Sequence, residues 1–309
     1  MDIKYARLGR TESDLSIVTF GCMELGGGPW EVSSDEDNIK VLQKAFEKGI
    51  TTFDTAEMYG NGHSEEVLGK ALEGKRKECI FATKVNKEHL WPADIRRSVE
   101  ASLKRLRTDY VDIYYVHWPS YEIPIEETMS EFNKLKDEGM IRAIGVSNFS
   151  LKQLQEAMKF ARIDLIQPEY NLLQRDIENG IMQYCCENSI SVCGYNSIAK
   201  GILTGKFHLG GAVITDNDFR RKKRLFLPEH LEKEWDIIHL LKEIADSKGC
   251  SLSQVAISWL FYQKGFTSAI IGTQSEKHLE DNIKAVEINL SESEIERLDK
   301  VSLRIINGL

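Results

Sequence analysis

An α/β fold is expected here: a (β/α)8 TIM barrel with an N-terminal β-hairpin closing its bottom, built from residues 1–309 as one domain. Three features of the chain point to it. Short β-branched apolar runs alternate with amphipathic helical stretches, the pattern of parallel strands joined by crossover helices. Eight such runs occur, and eight parallel strands close a barrel whose interior side chains fill. No domain linker or low-complexity tract interrupts the alternation.

The elements follow in chain order. Tyr5-Ala6-Arg7-Leu8 and the residues from Leu15 onward, separated by Gly9 to Asp14, read as a hairpin ahead of the barrel that plugs its base. The strands are expected at Ser16–Gly21, Thr51–Asp54, Cys79–Lys84, Val111–His117, Ala143–Ser147, Leu165–Pro168, Ser191–Tyr195 and Ser268–Gly272. Between them, Ile95, Val99, Leu103 and Leu106 share one helical face, as do Trp235, Ile238, Leu241 and Ala245, with charged residues opposite. Ser150 with Gln153 and Ser291 with Glu294 have the form of capping boxes, and Gly49, Gly139 and Gly249 stand where helices should stop. The segment from Gly205 to Pro228 exceeds an ordinary strand–helix connection and reads as a functional loop.

The composition is that of a globular protein, 42% hydrophobic and 28% charged, with a net charge of −8. That balance lacks the basic footprint of a nucleic-acid binder. The densest basic stretch, Arg220, Arg221, Lys222, Lys223 and Arg224, reads equally as a solvated loop or as an anion site for a phosphorylated ligand. Met1-Asp2-Ile3-Lys4 opens without an apolar signal core, and no apolar run approaches the ~20 residues that span a bilayer. A cytoplasmic protein without a membrane partner is therefore expected. The six cysteines, Cys22, Cys79, Cys185, Cys186, Cys193 and Cys250, show neither metal spacing nor a disulfide framework and read as reduced, small apolar side chains. The seven histidines are dispersed without a paired ligand motif, so no metal is expected. Nothing in the residues favours one oligomeric state over another.

Barrel enzymes build their sites from loops at the C-terminal ends of the strands, so polar residues that end apolar runs are the first candidates. Asp54 ends Thr-Thr-Phe-Asp, Lys84 ends Ile-Phe-Ala-Thr-Lys, His117 ends Ile-Tyr-Tyr-Val-His, and Tyr59 follows Asp54 in its loop. Singly, each has a plainer explanation: Asp54 as a helix cap, Lys84 snorkelling to solvent, His117 as a satisfied histidine, Tyr59 as packing. On the second, third and fourth strands, however, all four converge on one side of the barrel mouth. That combination suits carbonyl reduction, in which hydride addition leaves an alkoxide that needs a proton. A phenol with a pKa of about 10 is a poor donor near neutrality; an adjacent ammonium, Lys84, is expected to lower it, with Asp54 keeping Lys84 charged and oriented. His117 would hydrogen-bond the carbonyl oxygen.

At these positions the sequence resembles the aldo-keto reductases, over nearly its whole length. The matching segments are Phe-Asp-Thr-Ala-Glu-Met-Tyr-Gly at 53–60, Ala-Thr-Lys at 82–84, Tyr-Val-His-Trp-Pro at 115–119, Gly-Val-Ser-Asn-Phe at 145–149 and Gln-Pro-Glu-Tyr-Asn at 167–171. The resemblance implies a single aldo-keto reductase domain over 1–309 and an NAD(P)H-dependent reductase of aldehydes or ketones. It implies a catalytic tetrad of Asp54, Tyr59, Lys84 and His117, with Tyr59 as general acid. It further implies that Ser147, Asn148 and Gln167 bond the nicotinamide carboxamide, that Tyr195 stacks on the ring, and that Gly21, Cys22 and Met23 line the other side of the dinucleotide. The stretch Tyr195, Asn196, Ser197, Ile198, Ala199, Lys200, Gly201 through Lys206 is similar to the family's pyrophosphate segment, with Arg220 closing over it.

By the same likeness, the run from Gly272, Thr273 and Gln274 through His278 to Asp281 and Asn282 is the adenosine site at a helix start. Members that prefer a 2′-phosphate commonly carry basic residues at the positions of Gly272 or Gln274 and of His278; this chain has only the histidine there. NADPH is the implied cofactor, with NADH as the alternative. The substrate cleft is expected between Trp30, Tyr59, His117, Trp118 and part of the 206–228 loop. After Val301 only eight residues follow, too few for the long substrate-covering tail of many members, so an open site with broad aldehyde tolerance is expected. The rival readings are a non-catalytic nicotinamide-binding redox sensor or subunit on the same fold and, with less behind it, a metal-dependent barrel hydrolase.

Overall fold

The computed structural model describes residues 3–27, 33–216 and 218–308. A hairpin of β1 (Tyr5–Arg7) and β2 (Asp14–Ser16) comes first, in the register Ala6 opposite Leu15. The chain then alternates β3 (Val18–Gly21), α1 (Asp35–Glu47), β4 (Thr52–Asp54), α2 (His63–Ala71), β5 (Ile80–Val85), α3 (Pro92–Leu106), β6 (Val111–Val116), α4 (Ile125–Asp137), β7 (Ile141–Ser147) and α5 (Leu151–Ala157). It continues with β8 (Leu165–Gln167), α6 (Ile181–Asn188), β9 (Ser191–Gly194), α7 (Pro228–Lys233), α8 (Trp235–Lys248), α9 (Leu252–Phe261), β10 (Ser268–Gly272), α10 (Glu276–Ile283) and α11 (Glu292–Gly308). Strands β3 to β10 close a parallel barrel, β10 pairing with both β9 and β3. No helix among the described residues is long and apolar enough to cross a membrane.

Period-two alternation sorts the strand residues onto two faces. Phe81, Tyr114, Val116, Ile144 and Val192 belong to the large core beneath the helices. Ala82, Ile113, Tyr115, Ala143, Leu165, Cys193 and Ile270 form a second cluster, the barrel interior, together with Leu8 and Leu15 of the hairpin. Those two leucines are fully buried, so the hairpin does plug the base. It is fastened there by Gly9 N–H donating to Ser191 Oγ at 2.8 Å and by Ser191 Oγ donating to Arg7 O at 3.0 Å. Gly9 adopts φ of 52°, and a Cβ there would lie 2.6 Å from Asp164 O, so the close approach requires glycine.

The boundaries shift from expectation for local reasons. Ser16 belongs to the hairpin: its N–H bonds Thr52 Oγ1 and its hydroxyl bonds Val18 O, leaving β3 to start at Val18. β7 begins two residues early, because the exposed Arg142, paired with Asp112, interrupts the apolar run without interrupting the strand. The capping boxes at Ser150–Gln153 and Ser291–Glu294 form, as does a third at Ser251–Gln254. Gly49, Gly139 and Gly249 take positive φ at their helix ends. Trp235, expected on the buried face of α8, is only half-buried, while Ile237, Ile238, Leu241 and Ala245 face the core. Among the described residues of the 205–228 segment, short 3-10 turns form at Phe219–Lys222 and Arg224–Phe226 before α7 begins at Pro228.

Candidate active site

The inward face of each strand continues upward into the mouth. Asp54 lies two residues beyond Thr52 on β4, Lys84 two beyond Ala82 on β5, and His117 two beyond Tyr115, just past the end of β6. All three are buried. Tyr59 sits in the turn after β4, half-buried, its N–H bonded to Ala56 O at 3.1 Å. The turn is pressed against Gly26: at Gly60, φ is 61° and a Cβ would strike Gly26 O. Glycine at position 60 thus lets the β3 loop pack against the tyrosine turn.

Lys84 Nζ is the hub. It donates to Asp54 Oδ1 and to Thr55 O at 2.7 Å and reaches Tyr59 Oη at 3.4 Å. Asp54 Oδ2 in turn accepts from Gln167 Nε2 at 2.7 Å, so both carboxylate oxygens are satisfied by a cation and an amide. Burial works against charge on Lys84, but Asp54 and Tyr59 outweigh it and hold the ammonium above its usual value. For Tyr59 the expected direction is corrected: burial pushes the phenol above 10, and the pull of Lys84 offsets only part of that. His117 meets Tyr59 edge-on, with ring centroids 5.8 Å apart. Burial, aided by Lys84, brings its imidazole down to about 3, so it is neutral at physiological pH. Its Nδ1 is buried with no partner among the described residues. Trp118 stacks against His117 at 6.3 Å and is 42% exposed.

The residues expected around the nicotinamide come together in one network. Ser147 Oγ donates to Gln167 O at 2.9 Å; Asn148 Nδ2 donates to His117 O and to Ser147 Oγ, both at 3.0 Å; Tyr195 Oη donates to Asn148 Oδ1 at 2.8 Å. Asn148 takes φ of 63° to do so. One Nε2 proton of Gln167 is committed to Asp54, and its Oε1 is the acceptor it can offer a ligand amide. Across the mouth, Gly21 pairs in register with Gly272, Cys22 is buried with its N–H on Asp54 O at 2.8 Å, and Met23 is 43% exposed.

The expected phosphate segment follows β9 as a run of left-handed residues, Asn196, Ala199, Lys200 and Gly201. Ser197 Oγ ties it to Ile270 O at 3.1 Å, and Ile198 and Ala199 pack inward. Lys200 is not free to meet a phosphate alone, since it pairs with Glu169 Oε1 at 3.4 Å, which also accepts from Asn196 Nδ2. Lys206 Nζ lies over Gly201, 3.2 Å from where a Cβ would stand. Arg220 reaches back from the long loop to Lys200 O at 3.3 Å, braced by Asp218 and the rings of Phe207 and Phe226. Of the five basic residues at 220–224, only Arg220 turns inward; the other four are exposed.

At the far end, Thr273 is buried, Gln274 Nε2 donates to Glu24 O at 2.9 Å, and exposed His278 has its N–H capped by Ser275. The Asp281 carboxylate accepts from Ser251, Ser253 and Gln254 at the start of α9; Asn282 is buried beside it. Trp30, expected in the substrate wall, lies outside the described residues. Glu24, Thr55 and Glu169 are site residues that the sequence left unmarked, although Thr55 stood inside Phe-Asp-Thr-Ala-Glu-Met-Tyr-Gly and Glu169 inside Gln-Pro-Glu-Tyr-Asn.

Comparison with known proteins agrees with this geometry. The model of the Aldo/keto reductase family matches residues 18–303. Aldo-keto reductase YhdN of Bacillus subtilis is 36% identical, covering 90% of this chain and 87% of its own. The NADH-specific methylglyoxal reductase of Escherichia coli is 32% identical over 94% of this chain and 96% of its own. The crystal structure of an aldo-keto reductase from Klebsiella pneumoniae in complex with NADPH superimposes with a TM-score of 0.80 at 29% identity, covering 98% and 96% of the two chains. The eight-stranded barrel, the tetrad geometry at its mouth and these matches together place the chain in the aldo-keto reductase family.

Proposed function

We propose that the protein is an NAD(P)H-dependent reductase of aldehydes and ketones, working as one aldo-keto reductase domain over residues 1–309. The observation that carries the reading is the buried Asp54–Lys84–Tyr59 chain beside a neutral His117. The reduced nicotinamide supplies the hydride when bound. Tyr59 Oη gives its proton to the substrate oxygen as negative charge develops there, and Lys84, held by Asp54 and Thr55 O, stabilises the phenolate left behind. His117, uncharged, positions the carbonyl oxygen by a hydrogen bond, while Trp118 forms one wall of the cleft. Ser147, Asn148, Tyr195 and Gln167 Oε1 would hold the ring, with Gly21, Cys22 and Met23 opposite. Asn196 to Gly201, Lys206 and Arg220 would hold the pyrophosphate, and Gly272 to His278 the adenosine.

NADPH is the proposed dinucleotide and NADH the alternative. The Klebsiella pneumoniae relative is solved in complex with NADPH, which supports the first; the alternative is kept because a neutral glutamine bonded to Glu24 and a single histidine offer little to a 2′-phosphate and the Escherichia coli relative is NADH-specific by name. The substrate is a small carbonyl compound at an open mouth, in a cytoplasmic setting. With a net charge of −8, no nucleic-acid partner is proposed.

The test is oxidation of NADPH and, separately, NADH by the purified protein against aromatic and short-chain aldehydes, repeated with Tyr59→Phe. Turnover that the variant abolishes while its dinucleotide Kd holds supports the reading. Tight dinucleotide binding with no turnover on any carbonyl would instead indicate a redox sensor or subunit.

A further inference from the structure

One buried group beneath the tetrad has no part in the mechanism above. Lys84, Tyr115 and Gly145 are register partners on the adjacent strands β5, β6 and β7, and Tyr115 is 1% exposed in the barrel interior. Side chains in such a layer normally stand side by side. Here the neighbour has none, and the tyrosine ring lies across the vacant position: a Cβ on Gly145 would come within 2.6 Å of Tyr115 Cε1 and nearer still to Cδ1. Gly145 is not in the left-handed region, so it is the space that demands glycine, not the backbone.

Lying flat, Tyr115 presents its ring to Lys84. The Nζ stands 5.7 Å from the Tyr115 centroid and 5.1 Å from that of Tyr59, so the ammonium is held between two phenol rings. An ammonium over an aromatic face within about 6 Å is attracted by the ring quadrupole, more strongly when water is excluded. The far end of Tyr115 lies beside the Gln167 amide, which donates to the other oxygen of Asp54. Lys84, Asp54, Gln167 and Tyr115 thus enclose one another, and Tyr115 is the single aromatic floor of that ring.

We propose that Tyr115, seated in the gap left by Gly145, is a positioning residue for carbonyl reduction: its ring keeps the Lys84 ammonium charged and aimed at Tyr59. The inference rests on the functional reading above, in which Lys84 serves Tyr59. The ring, rather than the hydroxyl, does the holding, because the hydroxyl faces Gln167 and not Lys84.

The test compares Tyr115→Phe, which keeps the ring, with Tyr115→Leu and Tyr115→Met, which remove it; the methionine fills more of the volume if the leucine variant is poorly folded. Expected for both ring-less variants is a kcat lowered by about tenfold with the dinucleotide Kd, read by fluorescence quenching, within about twofold of the parent. The solvent deuterium isotope effect on kcat should rise as proton transfer becomes limiting. The alkaline limb of kcat/KM should move down by up to about one pH unit, because an ammonium without its aromatic neighbour loses its proton sooner. Tyr115→Phe should restore all three to the parent values. Ring-less variants with an unmoved alkaline limb and isotope effect overturn the proposal, as does a phenylalanine variant that behaves like them. Tyr59→Phe run alongside separates the two failures: if it turns over normally the functional reading has failed, and if it is dead while Tyr115→Met is normal only the role of Tyr115 has.

Discussion

Two influences oppose each other at Tyr59, and the outcome depends on Lys84. Burial disfavours the phenolate and the ammonium favours it, so removing the ammonium leaves burial alone. Lys84→Met should therefore lower kcat by about 10²- to 10⁴-fold, the range of a general acid–base contribution. The same change strands Asp54, since its remaining partner is the neutral Gln167 amide, and an unpaired buried carboxylate is strongly destabilising. Asp54→Asn combined with Lys84→Met should recover melting temperature without recovering turnover; recovery of both would mean that Lys84 acts only through stability. His117 gives a pH prediction. Its folded pKa of about 3 lies below its usual 6.5, so between those values the unfolded chain binds a proton that the folded one refuses. The stability it confers is full above pH 6.5 and lost as pH falls toward 3. His117→Asn should thus gain on the parent protein in thermal melts between pH 6.5 and 4, and kcat/KM of the parent should show no imidazole limb between pH 5 and 8. The tetrad was legible in the sequence because three polar groups end apolar strands and Tyr59 follows one of them in its loop, a convergence that no single structural role explains. Tyr115 was not, since a tyrosine inside a strand reads as core until the register sets it beside Lys84 and over Gly145. The bonds that Asp281 makes were not legible, because its partners, Ser251, Ser253 and Gln254, lie some thirty residues earlier in sequence.

Where α7 meets α8, one element boundary carries a buried acid with no hydrogen-bond partner among the described residues. Glu234 has a fully buried side chain with neither oxygen hydrogen-bonded among the described residues, and His208 Nε2, 3.7 Å away, donates instead to Leu231 O. Burial raises its carboxyl to about 8. The sign follows from proton binding: a raised folded pKa contributes stability that is complete below the usual 4.5 and is lost as pH rises through 8. Glu234→Gln, which cannot ionise, should match the parent in melting temperature near pH 4.5 and exceed it by a margin that grows up to about pH 8 and then levels. A margin independent of pH would place the effect in packing instead. This junction was invisible in the sequence, where Glu234 lies among the charged residues Glu232 and Lys233 and looks like solvated surface. Strands and helix faces were legible wherever apolar periodicity was uninterrupted. They blurred where tertiary structure supplied the partner, as for Arg142 on Asp112 in β7 and Ser16 shared between hairpin and barrel.

Across the whole molecule, the two ends of the barrel answer to different demands. The C-terminal end carries the tetrad, with charges and hydroxyls held by one another; the N-terminal end is closed by two leucines from a hairpin of three-residue strands. Leu15 is fully buried in the interior stack that also contains Tyr115, so the base and the floor of the site belong to one packed column. Close-packed interiors transmit strain, yet the polar cage around Lys84 is fixed by Asp54, Thr55 and Gln167 and not by the column alone. Leu15→Ala should accordingly cost roughly 2–5 kcal/mol, the range for a buried leucine deletion that leaves a cavity, read as a lower urea midpoint at unchanged m-value. Its kcat and alkaline limb should stay within about twofold of the parent under conditions where it remains folded. A loss of turnover that outran the loss of stability would show that the hydrogen-bonded cage does not hold Lys84 by itself, and that the hairpin sets the position of the ammonium through Tyr115.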